Sequence, residues 1–258
     1  MRATCAPFWR FACSMKKLST VGIVPARGGS KSIPRKNLKP FLGRPLIAWA
    51  IEALQKSGVC DRVIVSTEDE EIADVARQCG AEVPFMRPNE LAEDRVPMLP
   101  VLQHAVAWLK EHEDYTPDYV VLLEPTSVGK RPFHVRGVAE MLRETGADSV
   151  FTVSELAADF NPYWQLVLDS EARVSLFTGG PMKNVIKRRQ DLPVKTYLWD
   201  SAVYAFKPKL LFDKEPSFYG DDARAYIMEP KYALDLDVPE DWEVAERKVK
   251  ELLESEEK

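Results

Sequence analysis

Val21-Gly22-Ile23-Val24-Pro25-Ala26-Arg27-Gly28-Gly29-Ser30-Lys31-Ser32-Ile33-Pro34-Arg35-Lys36-Asn37 is an apolar run that breaks into glycines and cations. Residues 21–24 read as a buried strand, and the glycines that follow read as the turn ending it. Ligands of open α/β sheets bind just beyond the carboxyl ends of strands, which is where this loop falls. Glycine lets backbone N–H groups turn toward an anion, while Arg27, Lys31, Arg35 and Lys36 add positive charge around it. The stretch is a candidate polyphosphate cradle. It lacks the Gly-Lys-Ser/Thr ending of a Walker A loop and the GxGxxG spacing of a dinucleotide fingerprint.

Working outward, further apolar runs recur at 63–65, 83–86, 119–123 and 149–153, with helical patterns in the gaps. Pro45 opens a helix through Ile47, Ala50, Ile51 and Leu54. Thr67 and Glu70 have capping-box spacing before a helix that Gly80 closes. Val101, Leu102, Ala105, Val106 and Leu109 share one helical face, as do Val138, Met141 and Leu142 ahead of Gly146. The alternation predicts an α/β fold, Rossmann-like, with a mostly parallel sheet flanked by helices. From about 158 to 193 the pattern changes to short β-like pieces at 164–168 and 174–177, followed by a basic run, and predicts a small lobe inserted into the domain. Strands at 203–206 and 232–236 are expected to return to the main sheet, and Pro239 starts a last amphipathic helix.

With 258 residues, 45% of them hydrophobic, the chain can build one large core, and no internal repeat divides it. We therefore expect a single domain over 18–258, with residues 1–17 an extension outside the fold ahead of or around Met15-Lys16-Lys17. A net charge of −5 argues against holding nucleic acid by bulk electrostatics. No apolar run approaches the roughly 20 residues of a bilayer-spanning helix, so no membrane partner is expected. Cys5, Cys13, Cys60 and Cys79 form no CxxC pair or Cys/His cluster, which predicts reduced thiols and a cytoplasmic location.

The cation-rich loop, together with Arg62-Val63-Ile64-Val65-Ser66-Thr67, Arg87-Pro88 with Glu90-Leu91-Ala92 and Asp94, Pro125-Thr126-Ser127, Gln190-Asp191-Leu192-Pro193 and Leu234-Asp235-Leu236-Asp237, resembles the motifs of the CMP-sialic acid synthetase (acylneuraminate cytidylyltransferase) family, in the family's order. The resemblance covers residues 21–253. It implies a nucleotidyltransferase of the nucleotide-diphospho-sugar transferase type that activates an acidic, sialic-acid-like (nonulosonic) sugar with CTP, releasing pyrophosphate. It also implies a homodimer, formed through the inserted lobe. Nucleotide-binding residues carried over are Ala26, Arg27, Gly28, Gly29, Ser30, Lys31, Lys36, Asn37, Arg87 and Asp94, with Asn37 and Arg87 toward the base. Glu124, Thr126, Ser127, Arg189, Asp200 and Tyr204 are the implied sugar-binding set, with Trp199 nearby. Arg27, Lys36, Asp235 and Asp237 are the implied catalytic residues, the two aspartates holding Mg2+ (or Mn2+).

Asp235 and Asp237 stand at i and i+2 of an expected strand, so their carboxylates share a face. Two like charges there repel, and a hard, oxygen-seeking cation removes that cost. Several positions depart from the family pattern. Glu124 replaces the Gln common before the Pro-Thr-Ser turn, Asp200-Ser201-Ala202 replaces Asn-Gly-Ala, and Met98 replaces a small hydroxyl residue near the base. Val128-Gly129-Lys130 replaces Pro-Leu-Arg after that turn. An anion at Glu124 opposes a carboxylated sugar unless Arg189, Lys130 or Arg131 compensates. These departures leave an alternative open, a nucleotidyltransferase using another triphosphate such as GTP on a sugar 1-phosphate. His104, His134, Cys60 and Cys79 have no partner at catalytic spacing and read as structural.

Overall fold

The computed structural model describes residues 18–256, so the expected extension at 1–17 lies outside the described residues, as do Cys5 and Cys13. In chain order the elements are β1 (Thr20–Pro25), β2 (Pro40–Phe41), β3 (Arg44–Pro45), α1 (Leu46–Ser57), β4 (Arg62–Ser66), α2 (Glu70–Gln78), α3 (Met98–Glu113), β5 (Tyr119–Leu122), α4 (Pro132–Thr145), β6 (Ser149–Glu155), β7 (Leu166–Leu168), β8 (Val174–Leu176), β9 (Tyr197–Phe206), β10 (Ala223–Met228) and α5 (Pro239–Glu256). Among the described residues the main sheet has the order β10-β6-β9-β5-β1-β4. β1 pairs in parallel with both β4 and β5, and β10 pairs in parallel with β6. β9 runs antiparallel to both of its neighbours. The fold is Rossmann-like, as the alternation predicts.

Every residue of β1 is buried, which is the pattern of a strand covered on both faces. On one face, α1 and α4 bury Ile47, Ile51, Leu54, Val135, Val138 and Leu142 against Val24, Val121 and Val203. On the other, α3 lays Leu102, Ala105, Val106 and Leu109 on Ile23, Leu122 and Phe206. A third cluster joins the cation-rich loop to the end of the chain: Ile33, Phe41, Leu46, Val128 and Leu236 pack with Trp242, Ala245 and Val249 of α5. Burying such side chains contributes about 1.5 to 3 kcal/mol each.

Three local expectations are corrected. Residues 83–86 form no strand; the chain touches the sheet there through a single bridge, Glu82 to Ile64. Tyr232 ends a short helical turn, Pro230–Tyr232, and residues 233–236 join no sheet; the edge place goes to β10, whose apolar residues Ala225, Tyr226 and Ile227 are left at least partly exposed. The cap of α2 is Asp69, whose carboxylate accepts from the Ile72 N–H at 3.0 Å, rather than Thr67. Between β6 and β9 the chain leaves the sheet as short turns and the β7–β8 hairpin, with Phe160, Leu168 and Phe177 each more than 60% exposed.

Candidate active site

A cleft of about 510 Å³ opens at the carboxyl edge of β1 and β5. The chain passes from β1 to β4 on one side and returns to β5 on the other, so the loops leaving β1 and β5 diverge. Such a switch point leaves a crevice, the usual ligand position in open α/β sheets. The loop after β1 forms one wall, Asp235 and Asp237 line another, Glu124 and Thr126 come from the turn after β5, and Arg87, Asp94 and Met98 form the rim.

Arg27, Ser30, Lys31 and Lys36 of the loop line this cleft. Ile33 anchors the loop in the core, 2% exposed, and the Asn37 amide donates to the Arg27 carbonyl at 2.9 Å. Asn37 thus braces the loop at the cleft's edge, its side-chain N–H committed to the chain itself. Ala26 is buried and donates its N–H to the Ser66 carbonyl at 3.0 Å, an anchor of the loop away from the cleft lining. The Gly28 N–H does not face open space but donates to Glu68 Oε1 at 2.7 Å. A Cβ on Gly28 would sit 2.3 Å from Asp69 Oδ2, so glycine is required there for close approach of the loop after β4. Gly29 is exposed, with nothing near the position of a Cβ. Arg35 turns away from the cleft in a left-handed conformation, φ 54°, and pairs with Asp69 and Glu71 at the start of α2. Its expected share in the cradle is corrected accordingly.

On the facing wall, Leu236 is fully buried while Asp235 and Asp237 on either side of it are exposed and line the cleft. Alternation along an extended chain explains this, because committing Leu236 to the core with Ile33 and Trp242 turns both neighbours the other way. The expected shared face is therefore achieved without a strand. The segment is pinned instead by the turn after β5, the Val128 N–H donating to the Leu234 carbonyl at 2.9 Å and the Leu236 N–H to the Thr126 carbonyl at 3.2 Å. Lys36 Nζ donates to the Leu236 carbonyl at 2.9 Å and ties the two walls together. Burial lowers its ammonium below the usual lysine range, against the opposing pull of Asp235 and Asp237.

Lys130 is sealed beneath the turn, its Nζ donating to the Glu124 carbonyl at 2.7 Å and to the Ser127 carbonyl. Burial pulls its ammonium down to about 7. Arg131 is likewise buried and donates to the carbonyls of Val128, Gly129 and Lys130. Both cations staple the turn through its carbonyls, so neither is free to compensate Glu124 toward a carboxylated sugar. Burial, and then Asp235, raises the Glu124 carboxyl above its ordinary value.

Arg87 is 5% exposed and pairs with Glu68 Oε2 at 2.6 Å, while its Nε is buried without a hydrogen-bond partner. Glu68 therefore links the glycine loop to Arg87. Sequence reasoning passed it over, although it directly follows the Ser66-Thr67 motif at the end of β4. Asp94 pairs with Arg27 at 2.8 Å and with Lys31.

The implied sugar set is divided. Glu124 and Thr126 line the cleft, whereas Ser127 is 3% exposed beneath it. Asp200 accepts from Thr152 Oγ1 and from Ser154 Oγ, the latter at 2.8 Å, beside the register shift between β6 and β9. Tyr204 is 3% exposed in the core under α3, and burial pushes its phenol up. Trp199 is half exposed and meets Tyr204 edge to face. Arg189 lines a separate depression in the lobe with Asn161 and Thr196. Within one chain, Arg189 and Tyr204 are thus not brought to the cleft.

His134 Nδ1 accepts from the Arg131 N–H at 3.0 Å, capping α4, and burial lowers its imidazole to about 4. His104 meets Phe85 edge to face. Burial pushes the Cys60 thiol up to about 12, the opposite of what a nucleophile needs. None of these groups lines the cleft.

A family model described as Cytidylyltransferase matches residues 21–252. A CMP-N,N'-diacetyllegionaminic acid synthase of Legionella pneumophila is 31% identical, over 88% of this chain and 94% of that protein. A pseudaminic acid cytidylyltransferase of Campylobacter jejuni is 30% identical, over 86% of this chain and 93% of that protein. Among solved structures, a CMP:2-keto-3-deoxy-manno-octonic acid synthetase complexed with CTP superposes with a TM-score of 0.65 at 16% identity, covering 90% of this chain and 99% of that one, a likeness of fold. With its cation-rich loop and aspartate pair on one cleft, the chain belongs to the cytidylyltransferase family, similar to the CMP-sialic acid synthetases.

Proposed function

We propose that the chain transfers the cytidylyl group of CTP to a nonulosonic acid, giving a CMP-sugar and pyrophosphate. The observation that carries this reading is the meeting of two opposite charge sets in one cleft, Arg27, Lys31 and Lys36 on the loop and Asp235 and Asp237 facing them. A hydroxyl of the sugar attacks the α-phosphorus, a new O–P bond forms as the bond to the β-phosphate oxygen breaks, and the hydroxyl proton is released to solvent. Arg27 and Lys36 offset the charge that builds on the α-phosphate and on the departing pyrophosphate. The names of the relatives favour cytidine over another base, and the unpartnered Nε of Arg87, which lines the cleft, supports a role for it toward the base.

The donor set suits a hard divalent cation. Two exposed carboxylates line the cleft, and among the described residues no group of three or more His, Cys, Asp or Glu side chains assembles to enclose a metal alone. That matches Mg2+ (or Mn2+), which keeps waters and substrate phosphates as its other ligands. Asp235 and Asp237 would hold it, and when bound it supplies charge neutralisation for the phosphates.

The exposed apolar side chains of the lobe, Phe160, Leu168 and Phe177, support a homodimer in which this face is covered by a second copy. Arg189 would then serve the partner's cleft. Among the described residues no helix is long and apolar enough to cross a membrane, and a biosynthetic role on CTP fits the cytoplasm.

The test is pyrophosphate release from each of the four nucleoside triphosphates, offered with nonulosonic acids and with hexose 1-phosphates. Release with CTP and a nonulosonic acid is expected. Release confined to another triphosphate and a sugar 1-phosphate would overturn the proposal.

A further inference from the structure

Two of the loop cations that a polyphosphate needs already carry a carboxylate. Asp94 bridges Arg27, at 2.8 Å, and Lys31. The Gly28 N–H, one of the backbone donors expected to turn toward an anion, is taken by Glu68 at 2.7 Å. Asp94 and Glu68 differ in how they are held. Glu68 is partly buried, at 14% side-chain exposure, and locked by Arg87, whereas Asp94 has 35% side-chain exposure and no partners among the hydrogen bonds and ion pairs described other than the two loop cations. Asp94 also stands in the exposed stretch 93–95 that links the short helical turn Asn89–Leu91 to α3, so its backbone is not part of the sheet or of a long helix.

Building on the nucleotidyl-transfer reading of the cleft, we propose that Asp94 is a displaceable anionic latch. Its carboxylate holds Arg27 and Lys31 until a polyphosphate takes them, and it returns to both as pyrophosphate leaves. An ionised carboxylate offers a phosphate no donor and repels it, which favours withdrawal of Asp94 as a triphosphate reaches these cations. The Asp94 carboxyl is held below the ordinary carboxylate range, chiefly by its hydrogen bond from Lys31 and with help from Arg27, so it stays charged and competes across the neutral pH range. The latch keeps two exposed cations from binding polyphosphate too tightly and assists release of pyrophosphate, a product with the same charge pattern as the substrate's tail.

The experiment uses the full chain and inorganic pyrophosphate as the probe, with tripolyphosphate and CTP as companions, titrated calorimetrically into wild type and Asp94→Asn. Removing a competing exposed ion pair is expected to tighten pyrophosphate binding about threefold to tenfold at low ionic strength, and the gap should shrink as salt screens the pair. The inhibition constant of pyrophosphate in turnover should fall by the same factor. Asp94→Ala gives a second measurement with the same expected direction. Pyrophosphate binding that is unchanged or weakened in both variants overturns the latch. Wild type that binds neither pyrophosphate nor CTP overturns the reading of the cleft itself.

Discussion

Gly129→Ala is the change that separates the placement of the aspartates from their chemistry. A Cβ on Gly129 would lie 2.0 Å from the Tyr232 carbonyl oxygen and 2.7 Å from its carbonyl carbon, both backbone atoms. A carbon and an oxygen in ordinary contact stand about 3.3 Å apart, so the two chain segments must separate by about 1 Å. The segment that has to move continues directly into Asp235 and Asp237, and it is tied to the turn by the Val128–Leu234 and Leu236–Thr126 hydrogen bonds. A misplacement of that size at a reacting centre costs on the order of 100-fold in rate, while the overpacking itself destabilises by roughly 1 to 3 kcal/mol. The expected result for Gly129→Ala is a folded protein with a modestly lowered melting temperature, turnover down about 100-fold, and a raised requirement for divalent cation. Gly29→Ala is the control for folding, since no atom stands within 4 Å of its Cβ position. Pyrophosphate-release kinetics across a magnesium titration, with thermal melts of both variants, make the comparison. Wild-type turnover and magnesium dependence in Gly129→Ala would refute the view that this contact sets the position of the aspartates.

Three further outcomes are expected. Asp235→Asn and Asp237→Asn should each lower turnover by about 100-fold or more while shifting the melting temperature little, because both side chains are exposed; full activity in excess chelator would contradict the metal assignment. Glu124→Gln should lower KM for a nonulosonic acid by about tenfold and leave CTP affinity nearly unchanged, since a like charge about 8 Å away costs on the order of 2 kcal/mol at an effective dielectric near 20, before water reduces it; loss of activity on every nonulosonic acid would instead make Glu124 a group that recognises the sugar. His134 is kept neutral by burial, its imidazole lowered to about 4, so the unfolded chain takes up the proton first as pH falls. Stability is then fully present above about 6.5 and lost toward pH 4, by up to roughly 3 kcal/mol, and urea melts of His134→Asn should show a flatter acid limb than wild type.

The parts of the fold that the sequence declared are those where one physical signal acts alone. β1 is apolar throughout because both its faces are covered, and α3 shows its face through Val101, Leu102, Ala105, Val106 and Leu109. The misread parts are those where two demands share a residue. Segment 232–236 looks like a strand because Leu234 and Leu236 are apolar, but they answer to the cluster under α5, and the chain's hydrogen bonds go to the turn after β5. β10 was passed over because its apolar residues do not alternate with polar ones and only Met228 is fully buried, so no period marks the strand. At the site, charge and spacing located the loop and the aspartates. They could not tell that Arg35 serves α2, that Lys130 is buried, or that Glu68 occupies the Gly28 N–H, since each of these depends on which carbonyl or carboxylate lies across the gap.

The two walls of the cleft are about 200 positions apart in the chain, and what joins them is the packing of α5. Ile33 beneath the cation loop and Leu236 between the aspartates enter the same cluster, closed by Trp242, Ala245 and Val249. Lys36 adds a polar tie from one wall to the other through the Leu236 carbonyl. One apolar side chain therefore fixes the cations and another fixes the carboxylates, and both rest on the same helix. The site is assembled only when the end of the chain docks. A change on the buried face of α5, far from any phosphate, must then act on both charge sets at once, moving the cation loop and the aspartate pair relative to one another.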